Sequence, residues 1–234
     1  MSIGFGFLAR IGHLYPSGGL CDFEIQAMAP EGVQFVTTRL PFSDTSIDSD
    51  RSLIADLELH ASLVADARVD LIALNCTAAG VVSGPEQINE RIRAATGIRA
   101  VTTIEAVLAA CKVLQARRIA LLTPYSDDVV AAEIAFFAER GIEVVSHASR
   151  PCRTPFEQAM LDPQTWVELA SELPVAYDAL LISCAGVRVS TVIEPIEQMV
   201  GRPVITSNAA LLWHCLRTLG IEQRCAGYGC LMRR

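Results

Sequence analysis

The chain has 234 residues, 51% hydrophobic and 19% charged, which is enough for one large domain or two small ones around a full core. Its net charge of −7 at pH 7 excludes the basic surface that nucleic acid needs and disfavours anionic membranes. No unbroken apolar run approaches the ~18 residues of a membrane span. The apolar stretch near the start is short, interrupted by Arg10 and His13, and has no basic leader, so a cytoplasmic protein is expected.

In chain order the pattern predicts strands at Ile11–Leu14 and Gln34–Thr38, a helix over Ser49–Ala67 and a strand at Leu71–Leu74. Helices over Gln87–Ala95 and Ile104–Leu114 follow, then a strand at Ile119–Leu122, a helix over Asp127–Arg140 and a strand at Glu143–Ser146. The rest predicts a helix over Trp166–Leu173, a strand at Leu180–Ser183, and helices over Val192–Met199 and Ala209–Leu219. Ser126 or Asp127 is placed to cap the helix that follows. Strands alternating with helices imply an α/β fold whose mostly parallel sheet is covered on both faces.

The chain also repeats itself. Arg10-Ile11-Gly12-His13-Leu14 matches Arg118-Ile119-Ala120-Leu121-Leu122 at an offset of 108 residues. At the same offset, Asp70-Leu71-Ile72-Ala73-Leu74-Asn75-Cys76 matches Asp178-Ala179-Leu180-Leu181-Ile182-Ser183-Cys184. Gly32-Val33 matches Gly141-Ile142, and Gly97 with Val101-Thr102-Thr103 matches Gly201 with Ile205-Thr206-Ser207. Four landmarks in one order predict two pseudo-symmetric parallel-sheet halves with a site in the cleft between them. The expected division is 1–115 and 116–209, with 210–234 packing back on the first half. Any two βαβ units share apolar strands, but that does not account for a cysteine six residues after an aspartate in both.

Ligands of parallel sheets bind beyond the carboxyl ends of strands. Cys76 and Cys184 sit at two matched ends, each followed by small residues that let backbone amides approach an anion. Across a pseudo-twofold axis the two thiols oppose each other, so a carbon between them is reached from both faces. One sulfur attacks or takes a proton while the other gives one. A free thiol titrates near ~8.5, so one of the pair is expected to be lowered by backbone dipoles. The competing reading is two buried strand-end cysteines in a chain of eight, and the matched placement favours function. The cysteines are read as reduced, because the chain needs no disulfide staples. No Cys-x-x-Cys pair, ligand cluster or dinucleotide fingerprint is present, so neither a metal nor an organic cofactor is expected. Ser17 and Tyr125 lie in the loops after the first strand of each half and offer hydroxyls to a carboxylate, although Ser17 also suits a plain turn.

Pro16-Ser17, Cys76-Thr77, Thr123-Pro124-Tyr125, Ser183-Cys184-Ala185-Gly186 and Gly201-Arg202-Pro203-Val204-Ile205-Thr206-Ser207, in this order, resemble the aspartate/glutamate racemase superfamily. Within it the resemblance is to the branch of maleate cis–trans isomerases and arylmalonate decarboxylases, from Ile11 to about Leu219. It implies Cys76 and Cys184 as catalytic residues, and Tyr125, Thr77, Ser17 and the backbone near Ala185 as the holders of a substrate carboxylate. Racemases of the superfamily have an acid after strand one and a histidine two residues past the second cysteine, where this chain has Tyr15-Pro16-Ser17 and Gly186. Arylmalonate decarboxylases have glycine in place of Cys76 and serine in place of Ala78. Maleate isomerases keep both cysteines, but carry asparagine where Gly18-Gly19 stands and another near Cys152-Arg153-Thr154, where Arg153 offers a replacement anchor. The resemblance therefore implies a cofactor-independent isomerase of a small unsaturated dicarboxylic acid. The alternatives are a racemase or epimerase, an arylmalonate-type decarboxylase and a non-catalytic binder of small acids. A homo-oligomer is the expected assembly. His214 and Arg39 are read as structural.

Overall fold

A computed structural model describes residues 5–174 and 176–234. The first half runs β1 (Ala9–Pro16), α1 (Asp22–Met28), β2 (Val33–Leu40), α2 (Ile47–Ser52), α3 (Leu57–Ala65), β3 (Leu71–Leu74), α4 (Thr77–Ser83), α5 (Pro85–Thr96), β4 (Ala100–Thr102) and α6 (Thr103–Val113). The second runs β5 (Arg118–Thr123), α7 (Asp127–Glu139), β6 (Glu143–Ser149), α8 (Pro155–Met160), α9 (Pro163–Glu172), β7 (Ala179–Ile182), α10 (Ile193–Val200), β8 (Val204–Thr206) and α11 (Ser207–Thr218). The strands make two four-stranded, all-parallel sheets in the orders β2-β1-β3-β4 and β6-β5-β7-β8. Strands β3 and β7 are buried along their whole length, as the unbroken apolar runs Leu71–Leu74 and Ala179–Ile182 require in a sheet covered on both faces.

The repeated aspartate has a structural reason. Asp70 Oδ2 accepts the Arg10 amide at 2.8 Å, and Asp178 Oδ2 accepts the Arg118 amide at 2.8 Å. The Asp70 and Asp178 amides donate to the Arg10 and Arg118 carbonyls at 2.8 and 2.7 Å. Each aspartate thus locks the start of one strand to its neighbour and sets where the chain leaves the sheet six residues on. There the Asn75 amide donates to the Leu14 carbonyl and the Ser183 amide to the Leu122 carbonyl, at 2.9 and 2.8 Å. The repeated Gly97 and Gly201 close α5 and α10 at φ 71° and 63°, a backbone that favours glycine. Thr102 and Thr206 cap α6 and α11 by accepting the amides of Glu105 and Ala209.

The structure departs from the sequence reading in four places. Strands β4 and β8 were not among the predicted strands, since three residues carry too little periodicity. Helices α1, α4 and α8 were also missed. The six or seven residues of each are short, and α4 (Thr-Ala-Ala-Gly-Val-Val-Ser) is poor in strong helix formers. The predicted helix over Ser49–Ala67 is two helices, α2 and α3. Leu53, Ile54, Leu57, Ala61 and Val64 are all buried at helical spacing across the intervening turn, which hides the break. Ser126 holds the N-cap position of α7, but its hydroxyl donates to Asp128 rather than accepting a helix amide.

Helix α11 lies against α6 and α1, and one hydrophobic core runs through both sheets. Helix α4 packs on α6 at Gly80, where a Cβ would stand 2.8 Å from Ile104 Cγ2. Gly80→Ala is therefore expected to cost about 1–3 kcal/mol through overpacking, read as a lower urea midpoint at unchanged m-value. An unchanged midpoint would mean that α4 is not tightly seated. Among the described residues no helix is long and apolar enough to cross a membrane.

Candidate active site

The carboxyl ends of β1, β3, β5 and β7 open on one cavity of about 390 Å³, its mouth included. Cys76 follows β3 and is the N-cap residue of α4, and Cys184 follows β7. Both thiols line the cavity and both are buried, at 7% and 5% exposure. The first half also contributes Tyr15, Asn75, Thr77 and Ala78 to the lining. The second contributes Tyr125, Gln158, Ala185 and Gly186, and Phe42, Asp50 and Pro155 close the sides.

Each thiol has its own surroundings. Cys184 Sγ accepts the Gly186 amide at 3.2 Å and approaches Gln158 Oε1 at 3.4 Å, and the Tyr125 hydroxyl also reaches it. Burial pushes this thiol up to about 12, the Gly186 amide and Tyr125 offsetting only part of the effect. Cys76 Sγ approaches Asp50 Oδ1 at 3.8 Å and accepts the Ala79 amide. Burial, then the nearby Asp50 carboxyl, lift it well above the ordinary thiol range. The expectation that backbone dipoles hold one thiol low is thus corrected. Desolvation outweighs the amide hydrogen bonds, and both sulfurs carry their protons at neutral pH. A thiolate forms here only as its proton is handed on. Burial also raises Tyr125 well above the usual phenol range, which keeps its hydroxyl a donor.

Buried polar chains fix the two cysteine loops. Thr77 Oγ1 and Ser207 Oγ lie 2.8 Å apart, and Ser207 Oγ accepts the Cys184 amide at 3.0 Å. Asn75 Nδ2 donates to His13 Nε2 at 3.0 Å and to Asn208 Oδ1 at 2.9 Å. His13, pushed down to about 3 by burial and by Arg39, is neutral and accepts at Nε2, so its Nδ1 donates to Thr37 Oγ1 at 3.0 Å. Asn208 Nδ2 donates to the Ala185 carbonyl at 3.2 Å and to Glu24 Oε2 at 2.9 Å. Glu24 Oε1 accepts the amides of Val189 and Ser190 at 2.8 and 2.9 Å. Apart from the His13–Thr37 contact within the first sheet, every link joins an element of one half to one of the other or to a cysteine loop.

The structure gathers Cys76, Cys184, Thr77, Tyr125 and Ala185 around the cavity, but not Ser17. Ser17 is exposed, and its Oγ accepts the Phe42 amide at 3.0 Å, so its hydroxyl holds a turn. The Thr77 hydroxyl is taken by Ser207 and the Ala185 carbonyl by Tyr15 and Asn208. What these positions offer a ligand is backbone. At the start of α4 the Cys76 sulfur takes the Ala79 amide, which leaves the amides of Thr77 and Ala78 as donors at the lining. Arg153 is exposed and outside the lining, and His214 faces Glu105 at 3.7 Å instead. Arg39 straps the loop after β1 through the carbonyls of Ser17 and Gly19 and through Asp22. A Cβ on Gly18 would meet the Phe42 carbonyl at 2.7 Å, and one on Gly19 the Tyr15 hydroxyl at 2.7 Å, so neither position has room for an asparagine.

Sequence reasoning missed Asp50 and Gln158. Gln158 comes from α8, which Thr154 caps and Pro155 starts, and it supplies a side-chain amide six residues beyond the Cys152 region where one was sought. The Thr-Pro pair was a usable start signal. Asp50 comes from α2, inside a charged stretch that reads as solvated surface. Among the described residues no group of three or more His, Cys, Asp or Glu is arranged to hold a metal ion.

The sequence and the fold are matched in known proteins. A family model described as arylmalonate decarboxylase matches residues 12–232. The arylmalonate decarboxylase of Bordetella bronchiseptica is 27% identical over 221 residues, 92% of either chain. A maleate isomerase of Pseudomonas putida is 24% identical over 243 residues, 96% of this chain and 97% of its own. A crystal structure of a Pseudomonas putida maleate isomerase with maleate has a TM-score of 0.92 at 24% identity, covering 96% and 97% of the two chains. The fold, the cleft and the match from residue 12 to residue 232 together make this chain a member of the arylmalonate decarboxylase family, in which maleate isomerases are also found.

Proposed function

We propose that the protein is a cofactor-independent isomerase that moves a small unsaturated dicarboxylic acid between its cis and trans forms. The observation that carries this reading is the presence of both thiols, from matched strand ends, on one buried cavity. Cys76 passes its proton to Asp50 Oδ1, 3.8 Å away, as its sulfur adds to one carbon of the double bond, and takes it back from there when the sulfur leaves. The π pair moves to the neighbouring carbon, next to a carboxylate, where Cys184 delivers a proton. The carbon–carbon link is now single and rotates. Cys184 then takes a proton back, the double bond reforms, and the Cys76 sulfur leaves and recovers its own. Tyr125, the Gln158 amide and the first amides of α4 supply donors for the carboxylates.

A second reading is supported by the apolar side of the cavity, formed by Pro16, Phe42 and Pro155. Such a wall favours loss of CO2 from a malonate, with Cys184 alone as the proton donor. Proton NMR of the protein mixed at pH 6 with maleate, and separately with an arylmalonate, decides between them. Fumarate is expected from maleate, at turnover on the order of 1–10 per second. Arylacetate and CO2 without fumarate would replace the first reading by the second.

A further inference from the structure

Among the described residues, Asp50 is the one acidic side chain in the lining of the cavity, and it is 2% exposed. Ser46 caps α2 by accepting the Ser49 amide, and one turn on the helix delivers the Asp50 carboxyl to the Cys76 sulfur. Helix α2 packs on α4, which Cys76 begins. The titratable groups facing Asp50 from the surrounding elements are Cys76, Asp44 of the segment before α2, and Asp128 and Glu133 of α7, with Cys184 and Tyr125 across the cavity. All of them are acids. None of the lining residues is a lysine, arginine or histidine.

A carboxylate placed beside Cys76 therefore meets a second carboxylate in a desolvated space with no cation to separate them. Two like charges in contact repel strongly in such a space, because little solvent screens them. The cavity has one way to relieve this, which is to take up a proton, as paired carboxyls do when they share one. We propose that Asp50 sets the charge the cavity admits: a dicarboxylate enters together with one proton, which Asp50 binds and donates to the nearer ligand carboxylate. An acid with one carboxylate and a neutral hydrogen-bond donor at the other end binds without that proton. Asp50 is then a specificity-determining residue, and the inference rests on the dicarboxylic-acid reading of the site.

The direction of the pH effect follows. Burial already raises Asp50 to about 7, with Asp44 and Asp128 adding to it. A bound dianion raises it further. Dicarboxylate affinity is then full below pH 7 and falls about tenfold per pH unit above it, until the raised value of the complex is reached.

The test is calorimetric binding of succinate, which has no double bond to isomerise, and of its monoamide, to the wild-type protein at pH 6 and pH 8 in buffers of different ionisation enthalpy. Succinate is expected to take up about one proton at pH 8 and to bind about tenfold more weakly there than at pH 6, and the monoamide to do neither. Asp50→Asn is expected to bind succinate with no proton uptake and equal affinity at both pH values. Wild-type binding of succinate without uptake and without pH dependence overturns the role of Asp50 and leaves the functional reading standing. Failure of both proteins to bind either probe overturns the functional reading, and this inference with it. Should Asp50→Asn not fold, the wild-type proton count alone decides.

Discussion

Cys76→Ala and Cys184→Ala are each expected to lower fumarate formation from maleate by at least about a thousandfold, with the substrate still bound. The reason is a division of labour. In the proposed scheme Cys76 makes and breaks the bond to carbon while Cys184 moves a proton on the other face, and among the described residues no further thiol borders the cavity to stand in. Both sulfurs are small, and the segments that carry them are held by hydrogen bonds through Ser207 and Asn208 that do not involve the sulfurs, so their loss leaves the cavity walls in place. The measurement is kcat and KM by NMR for each variant, alongside CO2 release from arylmalonates. A Cys184→Ala protein with full turnover would remove the two-thiol scheme. A Cys76→Ala protein that still releases CO2 would establish a decarboxylase needing one cysteine.

Glu24→Ala is expected to be the most destabilising single change remote from the thiols, at about 3–5 kcal/mol. The Glu24 side chain crosses from α1 of the first half to the Val189–Ser190 segment of the second and to Asn208 of α11, accepting three hydrogen bonds at 3% exposure. Its removal leaves three donors without a partner, each at about 1–3 kcal/mol, less what an entering water recovers. Urea unfolding reads the loss as a lower midpoint at unchanged m-value. Glu24→Gln keeps two acceptor contacts and is expected to lie between. A midpoint shift below about 1 kcal/mol for Glu24→Ala would mean that water already serves these donors.

The two-sheet architecture was readable because the sequence carries it twice. Strands buried on both faces are apolar without interruption, and Asp70 and Asp178 repeat because the same strand-start lock is built twice. The cysteine pair was found through that repeat, and the structure brings both thiols to one cavity. Three things were hidden for physical reasons. Asp50 shares the buried helical face of Leu53, Ile54 and Leu57, but it lies in a polar run, and an aspartate there reads as the solvated first turn of a helix. Gln158 sits on a six-residue helix too short to show a period. Ser17 stands on the correct edge of the sheet, yet the Phe42 backbone claims its hydroxyl, and such tertiary competition leaves no local mark.

Helices α6 and α11 lie against each other where the two halves join, and the core continues beneath them. The spacing of the two sulfurs is therefore settled when the chain folds and is not assembled by the substrate. Under the proposed function, binding energy is left free for holding and orienting the reacting carbon. The same rigidity ties catalysis to packing. A change at the α6–α11 contact that shifts one sheet against the other by an ångström alters the distance from sulfur to carbon by as much, and the rate falls before the fold does.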